Sequence, residues 1–214
     1  MTPEQHEVRR YYERLGTWLG YDLVLGGAKH LGFYPSAQKD RSEQAARSCM
    51  HDEIARRLRL KVGQHILDAG CGQGIASVDI AKRYGVHVTG ITIVPFEATR
   101  ARRHARRHEV THHTDYQVMD YSSTSFPADH FDAIYTNETL SHSPHPAATL
   151  REMRRILKPG GRIAFEEYTI APDDAFPDDL KRAWGLIITG SAMHGLRQFR
   201  HVSIDSRTSS ILPS

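Results

Sequence analysis

Between His65 and Tyr84 the chain passes from a short apolar stretch, Ile66-Leu67, through Asp68-Ala69-Gly70-Cys71-Gly72-Gln73-Gly74 into a helical pattern that begins at Ile75. No other segment restricts the fold as tightly. The apolar stretch reads as a buried strand with an acid at its carboxyl end. Glycines at alternate positions let the backbone turn sharply and bring its N–H groups against a ligand, because no Cβ intervenes. A ligand held there lies beyond the carboxyl edge of a parallel sheet, where open α/β folds bind nucleotides. Two phosphate-binding loops are excluded. The G-x-G-x-x-G fingerprint needs a glycine at the position of Ile75, and no Lys-Ser or Lys-Thr follows the loop as a P-loop requires.

The rest of the chain supplies the repeat that this unit implies. Strands are expected over 65–69, 87–93, 116–119, 131–136 and 162–168, with helices over 75–84, 96–108 and 147–157 between them. Gly85 closes the first of these helices, and the turn Lys158-Pro159-Gly160-Gly161 closes the last. Strands alternating with helices mean an α/β fold with a doubly wound, mainly parallel sheet. Two helices precede it, over 4–18 and from Ser42, an N-cap residue, to about Leu60. Residues 1–60 are therefore expected to form an amino-terminal helical cap and 61–200 the ligand-binding core, together one structural domain. A further helix is expected over 178–189. Residues 201–214 are polar, show no strand pattern and are expected to be a disordered tail.

Composition narrows the classes of function. A chain of 214 residues, 39% hydrophobic and 25% charged, has the make-up of a globular protein with a real core. No apolar stretch approaches the roughly 20 residues that span a membrane, and Met1 to Arg10 is too charged for a signal peptide. Two cysteines, one of them within the glycine loop, suit a reducing compartment, so a cytoplasmic protein is expected. The net charge of +3 and the crowding of Arg100, Arg102, Arg103, Arg106 and Arg107 invite a nucleic-acid reading. Helical spacing argues against it, because Ala98, Ala101 and Ala105 fall in one narrow sector. Small alanines pack on a sheet while the arginines are solvated, and no nucleic-acid partner is expected. His142 and His145, or the adjacent His112 and His113, lack further ligands at zinc spacing, so no metal is expected.

The Asp68-x-Gly70-x-Gly72-x-Gly74 loop resembles the first motif of class I S-adenosylmethionine-dependent methyltransferases, whose Rossmann-like sheet the elements above match. Three submotifs resemble one group among them, the sterol C24- and γ-tocopherol-type enzymes. These are Gly90-Ile91-Thr92 followed by Pro95, then Glu138, His142 and Pro144, and the amino-terminal His30-Leu31-Gly32-Phe33-Tyr34. The likeness runs from about Tyr11 to Ile170. It implies S-adenosylmethionine as cofactor, lying across the carboxyl ends of the first four strands, and a small, largely apolar acceptor such as a sterol, prenyl lipid or secondary metabolite, methylated at carbon or nitrogen.

Carried over residue by residue, the resemblance places Asp68, Gly70, Cys71, Gly72, Gly74, Thr92, Asp120, Tyr121 and Asn137 at the cofactor. Many family members have an acid after the second strand to hold the ribose hydroxyls, where this chain has Thr92; Glu97 is a second candidate for that role. Asp120 with Tyr121 is placed for the adenine amino group. Glu138 and His142 are the candidate catalytic residues, and Tyr12, His30, Tyr34 and Glu166 the candidate acceptor contacts.

Methyl transfer from a sulfonium is an in-line displacement, so positioning supplies much of the catalysis. An alkene acceptor leaves a carbocation that Glu138, Glu166 or the faces of Tyr12 and Tyr34 can stabilise. An amine, thiol or hydroxyl acceptor needs a base, for which His142 is the candidate. The antiparallel hairpin that normally ends the family's sheet cannot be found in the sequence. Its absence would leave the fifth strand as an open edge available for homodimerisation or for pairing with another chain. On that ground a non-catalytic or truncated partner protein is the alternative reading. RNA methylation, which rests on the basic helix alone, is a weaker one.

Overall fold

A computed structural model describes residues 3–14, 30, 32–34, 42–167 and 204–205. Its elements are α1 (Pro3–Glu13), α2 (Glu43–Leu58), β1 (His65–Ala69), α3 (Ile75–Tyr84), β2 (His87–Thr92), α4 (Pro95–Arg107), β3 (Thr114–Val118), β4 (Phe131–Asn137), a 3-10 turn (Leu140–His142), α5 (Pro146–Ile156), β5 (Leu157–Glu166) and β6 (Ile204–Asp205). The strand order is β3-β2-β1-β4-β5-β6, parallel except for the last pair. Chain order reverses at the β1/β4 boundary, the switch point at which open sheets of this kind bind ligands.

Alternation within β1 shows why helices lie on both faces. Ile66 packs with Ile54 and Leu58 of α2 and Ile80 of α3, whereas its neighbour Leu67 packs with Ile134, Met153 and Ile156 on the α5 side. Each of these side chains is at most 2% exposed, and each such burial is worth about 1.5–3 kcal/mol. Ala98, Ala101 and Ala105 are likewise buried, as their spacing in α4 requires. The basic face of that helix is partly tied down, since Arg102 donates to the Tyr116 carbonyl and Arg100 to Gln73 Oε1. Local signals set the ends. Ser42 Oγ accepts from the Ala45 N–H at 3.3 Å to start α2, and Gly85 ends α3 in the left-handed region at φ 62°.

Three expectations are corrected. The expected turn over 158–161 is part of β5: Leu157 already pairs with Phe131, and a register shift absorbs the intervening residues before Arg162 meets Ala133. A Pro-Gly-Gly run that marks a turn serves equally in a bulge, where an irregular backbone is also needed. The tail expected to lack structure contributes β6, whose Ile204 and Asp205 pair antiparallel with Ile163 and Arg162. The open edge expected on β5 is thus covered there; two residues are too few to leave an alternation in the sequence. Helix α1 ends at Glu13, short of the expected residue 18, and residues 15–29 and the helix expected over 178–189 lie outside the described residues. No helix among the described residues is long and apolar enough to cross a membrane.

Candidate active site

The carboxyl ends of β1, β2 and β4, the loop after β3, the 3-10 turn and α1 surround one cleft with about 980 Å³ of empty space, its open mouth included. The structure brings Asp68, Gly70, Cys71, Gly72, Thr92, Asp120, Tyr121, Asn137, Glu138, His142, Tyr12 and His30 together along its wall.

The glycine loop does what its sequence suggests, at different residues for different reasons. Gly72 sits at φ +50°, and a Cβ there would meet no protein atom within 4 Å, so its α-carbon faces open cleft. Gly74 serves packing instead, because a Cβ on it would press on Ala101 and Tyr116. Cys71 is buried against α4, its thiol pushed up by burial and by nearby Asp68, which makes it a small apolar wall. At the head of the loop Asp68 is 2% exposed and accepts from Ser77 Oγ of α3 at 2.5 Å. Burial pushes its carboxyl up to about 6, against the lowering effect of that bond.

At the end of β2, Thr92 Oγ1 donates to Glu97 Oε2 at 2.8 Å and accepts from the Val94 N–H. Glu97, 3% exposed in the first turn of α4, therefore brings a carboxylate to the place where Thr92 has replaced one. Asp120 accepts from Ser122 N and Ser122 Oγ, closing a turn of its own while lining the cleft. Tyr121 donates its hydroxyl to the Thr139 carbonyl at 3.0 Å, which ties the loop after β3 to the segment after β4.

That segment carries the candidate catalytic groups. Glu138 occupies the left-handed region at φ +54°, held there as its N–H donates to the Glu166 carbonyl at 2.6 Å. A non-glycine residue in such a conformation persists only where its surroundings over-determine it. His142, 7% exposed, shares a 2.7 Å hydrogen bond through Nε2 with the Tyr12 hydroxyl, so α1 is fastened to the 3-10 turn across the cleft. A residue absent from the sequence reading organises the whole turn. Glu167 accepts from Leu140 N at 2.9 Å, from Thr139 N and Ser141 N at 3.3 Å, and from Thr136 Oγ1 at 2.7 Å. Burial pushes its carboxyl up, opposed by the Leu140 N–H and the Thr136 hydroxyl. The signal in the sequence was the Glu166-Glu167 pair closing a buried strand, where alternation sends the two carboxylates to opposite faces.

Two candidates lie elsewhere. Glu166 is buried beside Arg57 of α2, with Oε1 3.5 Å from its Nε, and does not line the cleft. Tyr34 is 43% exposed and also lies off the cleft wall.

Comparison with known proteins gives this arrangement its class. Residues 67–165 match the methyltransferase domain family. The chain carries a methyltransferase domain. The S-adenosyl-L-methionine-dependent Diels-Alderase iccD of Talaromyces variabilis is 31% identical over 172 residues, which are 79% of this chain and 59% of that protein. The sterol 24-C-methyltransferase erg6 of Aspergillus fumigatus is 31% identical over 176 residues, 82% of this chain and 45% of that one. Among solved structures the [4+2]-cyclase SpnF superposes with a TM-score of 0.74 at 29% identity, over 81% of this chain and 63% of its own. The chain thus spans between 45% and 63% of the length of these three relatives.

One observation tests the domain against its expected cofactor. Both polar atoms of the Asn137 side chain are buried and have no hydrogen-bond partner among the described residues. An amide left so costs about 1–3 kcal/mol per group, which a bound molecule offering a donor and an acceptor removes. With the carboxylates of Asp68, Glu97 and Asp120 on the same wall, the donor set fits a ligand that combines positive charge, vicinal hydroxyls and an amino-purine.

Proposed function

We propose that the chain is an S-adenosylmethionine-dependent methyltransferase acting on a small, largely apolar acceptor. The observation that carries this reading is the unpartnered Asn137 amide set among three carboxylates beside an open glycine loop, on the carboxyl edge of the domain's sheet. Asp68 faces the cationic end of the cofactor, Glu97 and Thr92 the ribose hydroxyls, and Asp120 with Tyr121 the adenine. Bound there, the cofactor supplies an electrophilic methyl group on sulfur. The protein's part is to hold the acceptor in line with it and keep water out.

The relatives' names support a small-molecule acceptor: one is called a sterol methyltransferase and two are named for cyclisations. Val8 and Tyr12 of α1 close the cleft over the methyl position with an apolar and an aromatic surface. His142, its Nε2 engaged by Tyr12, lines the acceptor pocket. Glu138 faces charge that develops on the acceptor. We place the protein in the cytoplasm from its two free cysteines. Calorimetry with S-adenosylmethionine and S-adenosylhomocysteine tests the reading, with binding at micromolar concentrations expected. Absence of binding of both at millimolar concentration removes it.

A further inference from the structure

Asp68 stands in a row of residues that the sheet's register brings side by side. It pairs with Gly90 of β2 and with Tyr135 of β4, and Gly90 pairs in turn with Tyr116 of β3. Residues in register on neighbouring strands share a face of the sheet. Here it is the face that α2 and α3 cover, where Tyr135 packs with Ile54, Ala76 and Ile80. Tyr116 crosses the one position in the row that has no side chain. A Cβ on Gly90 would overlap its ring at 2.7 Å, and one on Gly74 would stand 2.9 Å from its hydroxyl. One phenol thus approaches Asp68 from β4 and the other reaches over β2 to the start of α3, both beneath the glycine loop.

Both tyrosines are at most 2% exposed, and neither hydroxyl has a hydrogen-bond partner among the described residues. An ionised carboxylate accepts about four hydrogen bonds, and Ser77 Oγ supplies one at Oδ2 of Asp68. Acceptor capacity and an idle donor therefore lie side by side. Burial, the largest influence, raises the Asp68 carboxyl; Ser77, Tyr135 and then the charge of His51 on α2 oppose it. The Tyr135 phenol is raised in turn, first by burial and next by the Asp68 charge, so it keeps its proton. Cys71 and Tyr116 complete the surroundings, each raised first by burial and further by the same charge.

We infer that Tyr135 is a positioning residue for the cationic end of the cofactor: its hydroxyl turns onto the Asp68 carboxylate when that group is ionised, and so decides whether the cleft presents a charge. The inference rests on the methyltransferase reading and adds the residue that governs its anchor. Rotation about one C–O bond is enough. While Asp68 holds a proton, the phenol oxygen accepts from the acid; once that proton has gone to solvent, the same phenol donates to the anion. No backbone movement is involved, and Ser77 keeps its bond in both states.

Carbon-13 NMR of the aspartate carboxyl groups, titrated in the free protein, reads Asp68 without any cofactor, and Asp68→Asn identifies its resonance. The wild-type inflection is expected near 6. Tyr135→Phe keeps the ring and removes only the hydroxyl. It should move the inflection up by about one to two pH units, the worth of one hydrogen bond to a charged group. Tyr116→Phe, whose hydroxyl lies at Gly74, should move it less. Calorimetric affinity of Tyr135→Phe for S-adenosylmethionine should show the same displacement and approach the wild-type value as pH rises above it. A merely structural hydroxyl would instead weaken binding alike at every pH. An Asp68 resonance that titrates in Tyr135→Phe as in the wild type overturns the inference, as does an affinity profile that stays in place while the resonance moves. If the resonance moves as expected but the wild type binds neither S-adenosylmethionine nor S-adenosylhomocysteine, the methyltransferase reading falls, and the role of Tyr135 at the cofactor falls with it.

Discussion

Asp68 has the most consequential environment of any single side chain in the cleft. Burial raises its carboxyl to about 6 while one Ser77 hydroxyl holds it in place. A cofactor whose charged end is cationic binds the ionised form better, so its affinity should be full above that value and fall as pH drops through it. Calorimetric titrations with S-adenosylmethionine from pH 7.5 to 5 should show that inflection, and Asp68→Asn should lose it while keeping the bond to Ser77. A wild-type affinity that is flat across the range rules out contact with charge. Glu138 and His142 divide differently. Glu138 lines the cleft from a left-handed backbone, whereas Nε2 of His142 is already bound to Tyr12. Glu138→Gln should lower kcat by on the order of 10²-fold with little change in KM, as loss of one preorganised electrostatic group does. His142→Ala should chiefly raise KM. Steady-state kinetics on one accepted substrate separates them, and the reverse pattern makes His142 the chemical residue.

Among the elements, the 3-10 turn after β4 depends on a carboxylate from the end of β5. Glu167 takes up the N–H groups of Thr139, Leu140 and Ser141. Glu167→Ala leaves them buried without that acceptor and should cost about 1–3 kcal/mol for the hydrogen bonds lost. KM for the acceptor should rise, because Glu138 and His142 ride on this turn. Thermal denaturation with paired kinetics checks both, and Glu167→Gln, which keeps an acceptor oxygen, should recover part of each. Sequence reasoning located the βαβ elements to within a few residues because periodicity, Gly85 and the glycine loop are local signals. It also chose the correct face of α4, since three alanines at helical spacing leave no alternative. It missed the start of β5, where Leu157 is recruited by pairing with Phe131, and it missed β6, since both depend on a distant strand. In the cleft, the residues carried by the glycine loop and the strand ends were readable because the chain path alone delivers them. The Tyr12–His142 bond across it and the Glu167 carboxylate behind it were not, because they join segments 26 to 130 residues apart.

Across the whole molecule, partly buried histidines and the buried Asp68 move stability in opposite directions between pH 7.5 and 5. His104, on α4, is held down to about 4 by burial, then by His108 and Arg107. His65 and His113 are lowered too, in each case first by burial. A histidine whose pKa is lower in the folded than in the unfolded chain stabilises fully above about 6.5, and that contribution is lost as pH falls towards the folded value. Asp68 is raised instead, so the folded protein holds its proton more tightly and gains stability as pH falls through about 6. Carboxylates held low by arginine, such as Glu152 at about 2 beside Arg155, act only below the ordinary carboxylate range and stay silent in this window. The wild type should therefore show a shallow pH dependence that conceals two steeper ones. Replacing His104 with Gln removes a destabilising term on acidification, so the drop in Tm from pH 7.5 to pH 5 should shrink. Asp68→Asn removes the compensating term, so the same drop should grow. Calorimetric Tm values for the three proteins at the two pH values test this directly, and drops that match across all three would mean that neither group changes its proton affinity on folding.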